Sequence, residues 1–284
     1  MLVRHMRTVV AALLFLAVAL LAAALAPRVD ATERSSGCGL APPAIPPDSV
    51  EVAGTRRSLI VVVPEGYAPE RAHRLVLAFH GRTNPAERVR RYYGLEGTNA
   101  EADGTIFVYP RALRQGDGTF IWRLPEDLAL FDAIVDQFAR RYCVAMDQIF
   151  AVGHSLGASF VNDLACVRGR VLRGVATVAG GISAADCTGP VAALLLHNPE
   201  DRLVPISAGR AALETLLAQN GLSGEPTKWR LGPFSCERFG ARGDRNPVLW
   251  CLYDDSRTGR GRYYPHQWPE GAAEAVMRFF AALE

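Results

Sequence analysis

The sequence predicts an α/β fold with a mostly parallel central sheet and helices on both faces. Two observations carry the prediction. Short apolar runs alternate along the chain with stretches of helical periodicity, which is how strand, crossover helix and strand follow one another. The runs are apolar throughout instead of alternating, as strands covered on both faces must be. Composition agrees. The chain has 284 residues, 49% hydrophobic and 21% charged, a balance that excludes a disordered or fibrous chain and fits a globular one with a substantial core. Its net charge of +2 is too near neutrality for a dedicated nucleic-acid binder. Lys228 is the only lysine, so arginine supplies nearly all the positive charge.

The elements follow in order. Arg4, His5 and Arg7 precede an uncharged apolar run from Val9 to Ala26, and small-residue cleavage patterns follow at Ala24-Leu25-Ala26 and Val29-Asp30-Ala31. Residues 1–31 are therefore read as a secretory signal peptide, cut after Ala31. The competing reading is an uncleaved anchor, for which the apolar run is at the short end. Residues 32–50 are rich in Pro, Ser and Gly and read as an extended lead-in. Residues 51–284 then read as one α/β domain. Leu59–Val63, Leu75–Phe79, Ile106–Tyr109, Ile149–Val152, Val171–Val178, Val191–Leu196 and Val248–Tyr253 are its strands. Asp127–Tyr142, Ala158–Cys166, Ile206–Gln219 and Ala272–Leu283 are its helices, the first marked by Leu128, Phe131, Val135, Phe138 and Tyr142 at helical spacing. The Pro-, Gly- and Arg-rich stretch 232–247 reads as a loop.

An exported chain meets oxidising conditions, so its six cysteines read as disulfides. Their spacing is not that of a zinc site. Cys236 and Cys251 bracket a hairpin, Cys166 and Cys187 flank a strand, and Cys38 is left for Cys143. Sequence alone leaves the other pairings open.

The chemistry centres on Gly153-His154-Ser155-Leu156-Gly157, a G-x-S-x-G between a strand and a helix. That context holds a serine on a tight turn as a nucleophile. A serine hydroxyl needs a base, and the base an orienting acid. In this strand–turn–helix class the order is Ser, acid, His. Among the histidines only His266 lies late enough. Asp201 follows an apolar strand, at the edge of a parallel sheet where reacting groups collect; Glu200, Asp254 and Asp255 are its rivals. The oxyanion of acyl transfer requires backbone N–H donors. Leu156, next after the serine, is one, and Arg82, after the strand ending in Phe79-His80-Gly81, is the other. No metal or organic cofactor is required.

These residues resemble those of secreted esterases in the polyhydroxybutyrate depolymerase and feruloyl esterase group, related to carbohydrate esterase family 1 in the α/β-hydrolase superfamily. The resemblance runs from about Cys38 to the C-terminus. It rests on Phe79-His80-Gly81, Tyr142-Cys143-Val144, Asp147-Gln148-Ile149-Phe150 and the serine pentapeptide. It continues through Leu164-Ala165-Cys166, Val178-Ala179-Gly180-Gly181 and the segment from His197 to Pro205. It closes with His266-Gln267-Trp268-Pro269 and Phe279-Phe280. It implies an α/β-hydrolase fold and assigns Asp201 and His266 to the triad. The chain departs from the group in Ser155-Leu156-Gly157-Ala158 at the elbow, in Asn198, and in Arg82-Thr83-Asn84-Pro85 at the oxyanion loop.

The expectation is a secreted serine esterase that forms an acyl-enzyme, acting on feruloyl or acetyl esters of polysaccharide or on short hydroxyalkanoate esters. Its partners would be small-molecule or polysaccharide-linked esters, with no nucleic acid and no membrane insertion once the signal is cut. The chain stops soon after His266, which leaves no room for a polymer-binding module. His80, Trp122 and Trp268 are candidate substrate contacts, with Tyr92 and Tyr93 as further aromatic walls. Arg82, Arg90 and Arg91 either meet an acidic ligand or form a solvated helix face. A serine peptidase and a non-catalytic binding protein on a hydrolase scaffold are the alternatives; ester against amide turnover separates the first, and failure of a serine-directed probe would mark the second.

Overall fold

A computed structural model describes residues 33–98, 104–254, 256–258 and 260–283. The signal-peptide reading falls outside them. The strands are Ser49–Val52 (β1), Thr55–Val62 (β2), His73–Phe79 (β3), Thr105–Pro110 (β4), Leu113–Arg114 (β5), Phe120–Ile121 (β6), Val144–His154 (β7), Gly174–Val178 (β8), Ala192–His197 (β9), Thr227–Leu231 (β10), Phe234–Phe239 (β11) and Val248–Leu252 (β12). The helices are Ala86–Tyr93 (α1), Glu126–Arg141 (α2), Leu156–Val167 (α3), Ile206–Gln219 (α4) and Ala272–Ala281 (α5).

Ten strands form one sheet in the order β1-β2-β4-β3-β7-β8-β9-β12-β11-β10, while β5 and β6 pair separately. From β4 to β12 every neighbour is parallel, and antiparallel pairs finish both edges. The side-chain period of two divides each strand between two cores. In β3, Leu75, Leu77 and Phe79 face α2, α3 and α4, whereas Val76 and Ala78 face α1 and α5. Burial on both faces is why these strands read as unbroken apolar runs.

The lead-in is more structured than its composition suggests. Ser35 N–H donates to Val144 O at 3.0 Å and Met146 N–H to Glu33 O at 2.7 Å, so residues 33–35 run beside the start of β7. Disulfide Cys38–Cys143 fixes that contact, Cys166–Cys187 joins α3 to the segment after β8, and Cys236–Cys251 links directly opposed residues of β11 and β12. The loop expected over 232–247 is corrected: Phe234–Phe239 is strand β11. Its alternation buries Phe234, Cys236 and Arg238 and exposes Ser235 and Glu237, the pattern of an antiparallel strand with one wet face. Among the described residues no helix is long and apolar enough to cross a membrane.

Candidate active site

Steric exclusion builds the serine turn. β7 ends at His154 and α3 begins at Leu156, so Ser155 alone reverses the chain, with φ 59° and ψ −126°. L-residues avoid that region, and such strain persists only where the surroundings hold it. Two glycines allow the approach. A Cβ on Gly153 would lie 2.4 Å from Gly157 O, and one on Gly157 would lie 2.1 Å from Phe79 O. Ser155 N–H donates to Val178 O at 3.0 Å, which anchors the turn to β8. The Ala179-Gly180-Gly181 segment wraps the start of α3. Gly180 packs where a Cβ would meet Ala158 at 2.6 Å, and Gly181 N–H donates to Ser159 Oγ at 3.0 Å.

Two further loops meet Ser155 at this end of the sheet. The loop after β9 brings Asp201, and the segment before α5 brings His266. His266 Nδ1 is 2.6 Å from Asp201 Oδ2, and His266 Nε2 is 2.7 Å from Ser155 Oγ. An ionised carboxylate can only accept, so Nδ1 carries the proton and Nε2 is free to accept from the serine hydroxyl. The other carboxylate oxygen, Asp201 Oδ1, accepts from the Leu203 and Val204 amides at 2.8 and 3.0 Å. Burial opposes charge on Asp201, but the hydrogen bonds from His266 and from those two amides outweigh it and hold the carboxyl below its usual range. His197 Nε2 meets Val204 O at 2.9 Å and so braces the same loop. Of the rival acids, Glu200 and Asp254 are exposed at the surface, and Asp255 lies outside the described residues.

Arg82 comes beside the serine through Gly81, whose position would put a Cβ 3.3 Å from Ser155 Cβ. Leu156 is the first residue of α3, where an N–H has no intrahelical partner. His80 explains how the Arg82 loop is held. The Ala112 N–H donates to His80 Nε2 at 3.0 Å, so Nδ1 carries the proton and donates to Gly81 O at 2.8 Å. Burial pushes the imidazole down to about 4, so it remains neutral. Because the peptide is planar and trans, fixing Gly81 O turns the Arg82 N–H the opposite way.

The structure does not place the three candidate substrate contacts on an open wall. His80 is wholly buried with both ring nitrogens engaged. Trp122 stacks on Phe160 in the core and donates from Nε1 to His80 O at 2.8 Å. Trp268 stacks on Tyr93 with ring centroids 4.2 Å apart. The burial of these large aromatics near the serine makes them its support instead of open substrate walls. Arg82 reaches toward Asp117 at 3.7 Å, and Arg90 pairs with Glu96 at 2.7 Å.

Two residues carry more of the site than the sequence suggested. His154 lies between His266, with ring centroids 4.9 Å apart, and Tyr92, at 5.9 Å. Burial and the adjacent His266 pull it down to about 3, so this imidazole is neutral beside that of His266. Its place directly before the serine was the available signal. Tyr264 is exposed, with its ring edge-on to His266 at 6.3 Å. No group of three or more His, Cys, Asp and Glu among the described residues could hold a metal ion.

A mostly parallel sheet with helices on both faces, and Ser155, Asp201 and His266 gathered at the C-terminal ends of its strands, define the α/β-hydrolase fold. The acetyl xylan esterase of Aspergillus awamori superposes with a TM-score of 0.61 at 14% identity, covering 80% of this chain and 94% of that one. By sequence, the feruloyl esterase C of Emericella nidulans is 31% identical over 219 residues, 72% of this chain and 77% of its own length. The feruloyl esterase D of Neurospora crassa is 27% identical over 211 residues, covering 69% and 71%. No family model matches the chain. The chain belongs to the feruloyl esterase family, and it is a carboxylic-ester hydrolase.

Proposed function

We propose that this chain is an exported serine esterase that releases feruloyl groups from plant polysaccharide, with acetyl and short hydroxyalkanoate esters as lesser substrates. The observation that carries the reading is the unbroken hydrogen-bond chain from Asp201 through His266 to Ser155 Oγ. Ser155 Oγ attacks the ester carbonyl carbon as its proton passes to His266 Nε2. Asp201 holds the imidazole in register and stabilises the imidazolium. The carbonyl oxygen takes the negative charge and accepts from the Leu156 and Arg82 amides, each worth roughly a hundredfold in rate. His266 returns the proton to the leaving alkoxide as the carbon–oxygen bond breaks. Water then attacks the acyl-enzyme by the same route, frees the acid and restores Ser155.

Export is supported by three disulfides, which persist in oxidising compartments, together with the charged and apolar opening of the chain. The feruloyl assignment draws on the names of the related fungal enzymes and on the exposed Tyr264 ring beside His266. The test is hydrolysis of methyl ferulate, p-nitrophenyl acetate and p-nitrophenyl butyrate beside Ser155→Ala. Ferulate turnover that exceeds the other two and vanishes in the variant is expected. Turnover that survives Ser155→Ala would overturn the mechanism, and a preference for the aliphatic esters would overturn the substrate.

A further inference from the structure

The opposite end of the parallel strands presents a second concavity. It holds about 530 Å³ between the starts of β8 and β12, the β10–β11 edge and the last turn of α5. That is within the range of small-ligand sites, roughly 300–1,000 Å³. Five arginines line it, Arg173, Arg238, Arg242, Arg245 and Arg278, with Asp244 as the carboxylate of the lining; Arg278 is paired with Glu274 at 2.6 Å. Arg238 projects from the inward face of β11 and is only 8% exposed. One of its terminal nitrogens donates to Ala241 O at 2.7 Å, but its buried Nε has no hydrogen-bond partner, and no carboxylate of the described residues lies within 4.0 Å of its guanidinium. A buried cation normally pairs with an anion, because taking a charge out of water is expensive. Trp229 completes the wall; the guanidinium carbons of Arg238 and Arg242 lie 5.3 and 5.7 Å from its ring centre. Arg173 is drawn down to about 10 chiefly by burial, with the like charge of Arg245 adding to it.

We propose that this groove is a second, non-catalytic binding site for the carboxylates of a uronate-bearing polysaccharide, so that an acidic polymer substrate is held at both ends of the sheet. Arginine forks match carboxylate geometry, and the exposed Arg242 and Arg245 would make the first contact while Arg238 receives a carboxylate at depth. β8 and β12 are five residues long, so at about 3.3 Å per residue the two ends are on the order of 15 Å apart. A polymer can span that distance and a monomer cannot. The choice of saccharide rests on the polysaccharide-ester reading above; the anion site itself rests on the arginines.

Calorimetric titration of the full chain carrying Ser155→Ala separates the two. The ligands are tetragalacturonate, a neutral galactan tetrasaccharide and inorganic phosphate at equal ionic strength. Tetragalacturonate alone is expected to bind, with at least tenfold loss in Arg242→Glu/Arg245→Glu. The same double substitution in a chain that retains Ser155 leaves p-nitrophenyl acetate hydrolysis unchanged. No tetragalacturonate binding, undiminished binding to the double variant, or phosphate bound as tightly would each overturn the site. No tetragalacturonate binding by the chain with its arginines intact, alongside ferulate turnover in the chain that retains Ser155, overturns only the groove. Binding intact without ferulate turnover overturns only the ester assignment.

Discussion

The two ends of the parallel strands handle charge in opposite ways. At the C-terminal ends, the Asp201 carboxylate accepts from His266, Leu203 and Val204, and His266 also meets Ser155. The histidines around them are kept neutral by burial. At the N-terminal ends, arginines converge on a groove whose lining holds Asp244, Arg278 is paired with Glu274, and the buried Arg238 Nε is unmatched. At the first end the Asp201–His266–Ser155 hydrogen bonds are in place before any ligand arrives, as electrostatic preorganisation requires, although the buried His154 Nε2 has no partner. The second is incomplete, so the energetic gain there comes only with an anion. Substitutions should therefore damage rate at one end and leave it untouched at the other.

The sharpest break of this comparison is Asp201→Asn. The amide can no longer hold the imidazole in the tautomer that accepts from Ser155, and kcat for methyl ferulate should fall by about 10⁴. A loss below tenfold would show that the carboxylate does not orient His266. Next in size is Gly157→Ala, whose Cβ would sit 2.1 Å from Phe79 O. Backbone cannot yield as a flexible side chain can, so several kcal/mol of stability should be lost in urea unfolding. Gly116, where nothing lies within 4 Å, provides the contrast; its alanine variant should change stability by at most about 0.5 kcal/mol.

A third effect is pH dependence of stability. His80 titrates near 4 in the fold against 6.5 outside it, and His154 near 3. A depressed folded value means the unfolded chain takes up the proton first. The contribution is complete above pH 6.5 and is lost as pH falls toward 4 for His80 and toward 3 for His154. For His80 the 2.5-unit difference, 6.5 − 4, corresponds to roughly 3 kcal/mol. Urea midpoints at pH 7.5, 6 and 5 should decline in that order, and less steeply in His80→Gln. A flat profile across that window would contradict the neutral, buried imidazole.

How far the sequence anticipated each end follows from the kind of order involved. Strands buried on both faces announce themselves as apolar runs, so β3, β4, β8, β9 and β12 were legible with small boundary errors, and β7 through its central Ile149–Val152 alone. Chain order singles out His266 from the sequence, and in the structure Asp201 lies within hydrogen-bond reach of it. What was missed is order that depends on neighbours. β11 alternates polar and apolar residues between Gly and Pro, and only its pairing with β10 and β12 makes it a strand. β1 was partly absorbed into the lead-in for the same reason. His80, Trp122 and Trp268 have the chemistry of ligand contacts, and their sequence neighbourhood does not reveal that the fold turns each ring inward. The arginine groove was invisible because Arg173, Arg238 and Arg278 lie far apart in the chain and meet only through the sheet and α5.

The smallest effect distinguishes a groove built for an anion from a surface that merely happens to be basic. Arg245 is exposed and interacts unfavourably with Arg173. The hydrogen bond from Arg173 goes to the backbone carbonyl of Arg245 at 2.8 Å, which survives replacement of the side chain. Arg245→Gln therefore removes a repulsion and no structural contact, and should raise stability by about 0.5 kcal/mol at low salt. Because the interaction is between partly solvated charges, the gain should shrink toward zero in 1 M salt, where the screening length is about 3 Å. Tetragalacturonate binding should move the other way and weaken. Urea unfolding of Arg245→Gln at low and high salt, beside the titration, reads both signs. If stability falls instead, Arg245 is held by favourable contacts of its own, and the groove loses its claim to be an unsatisfied site.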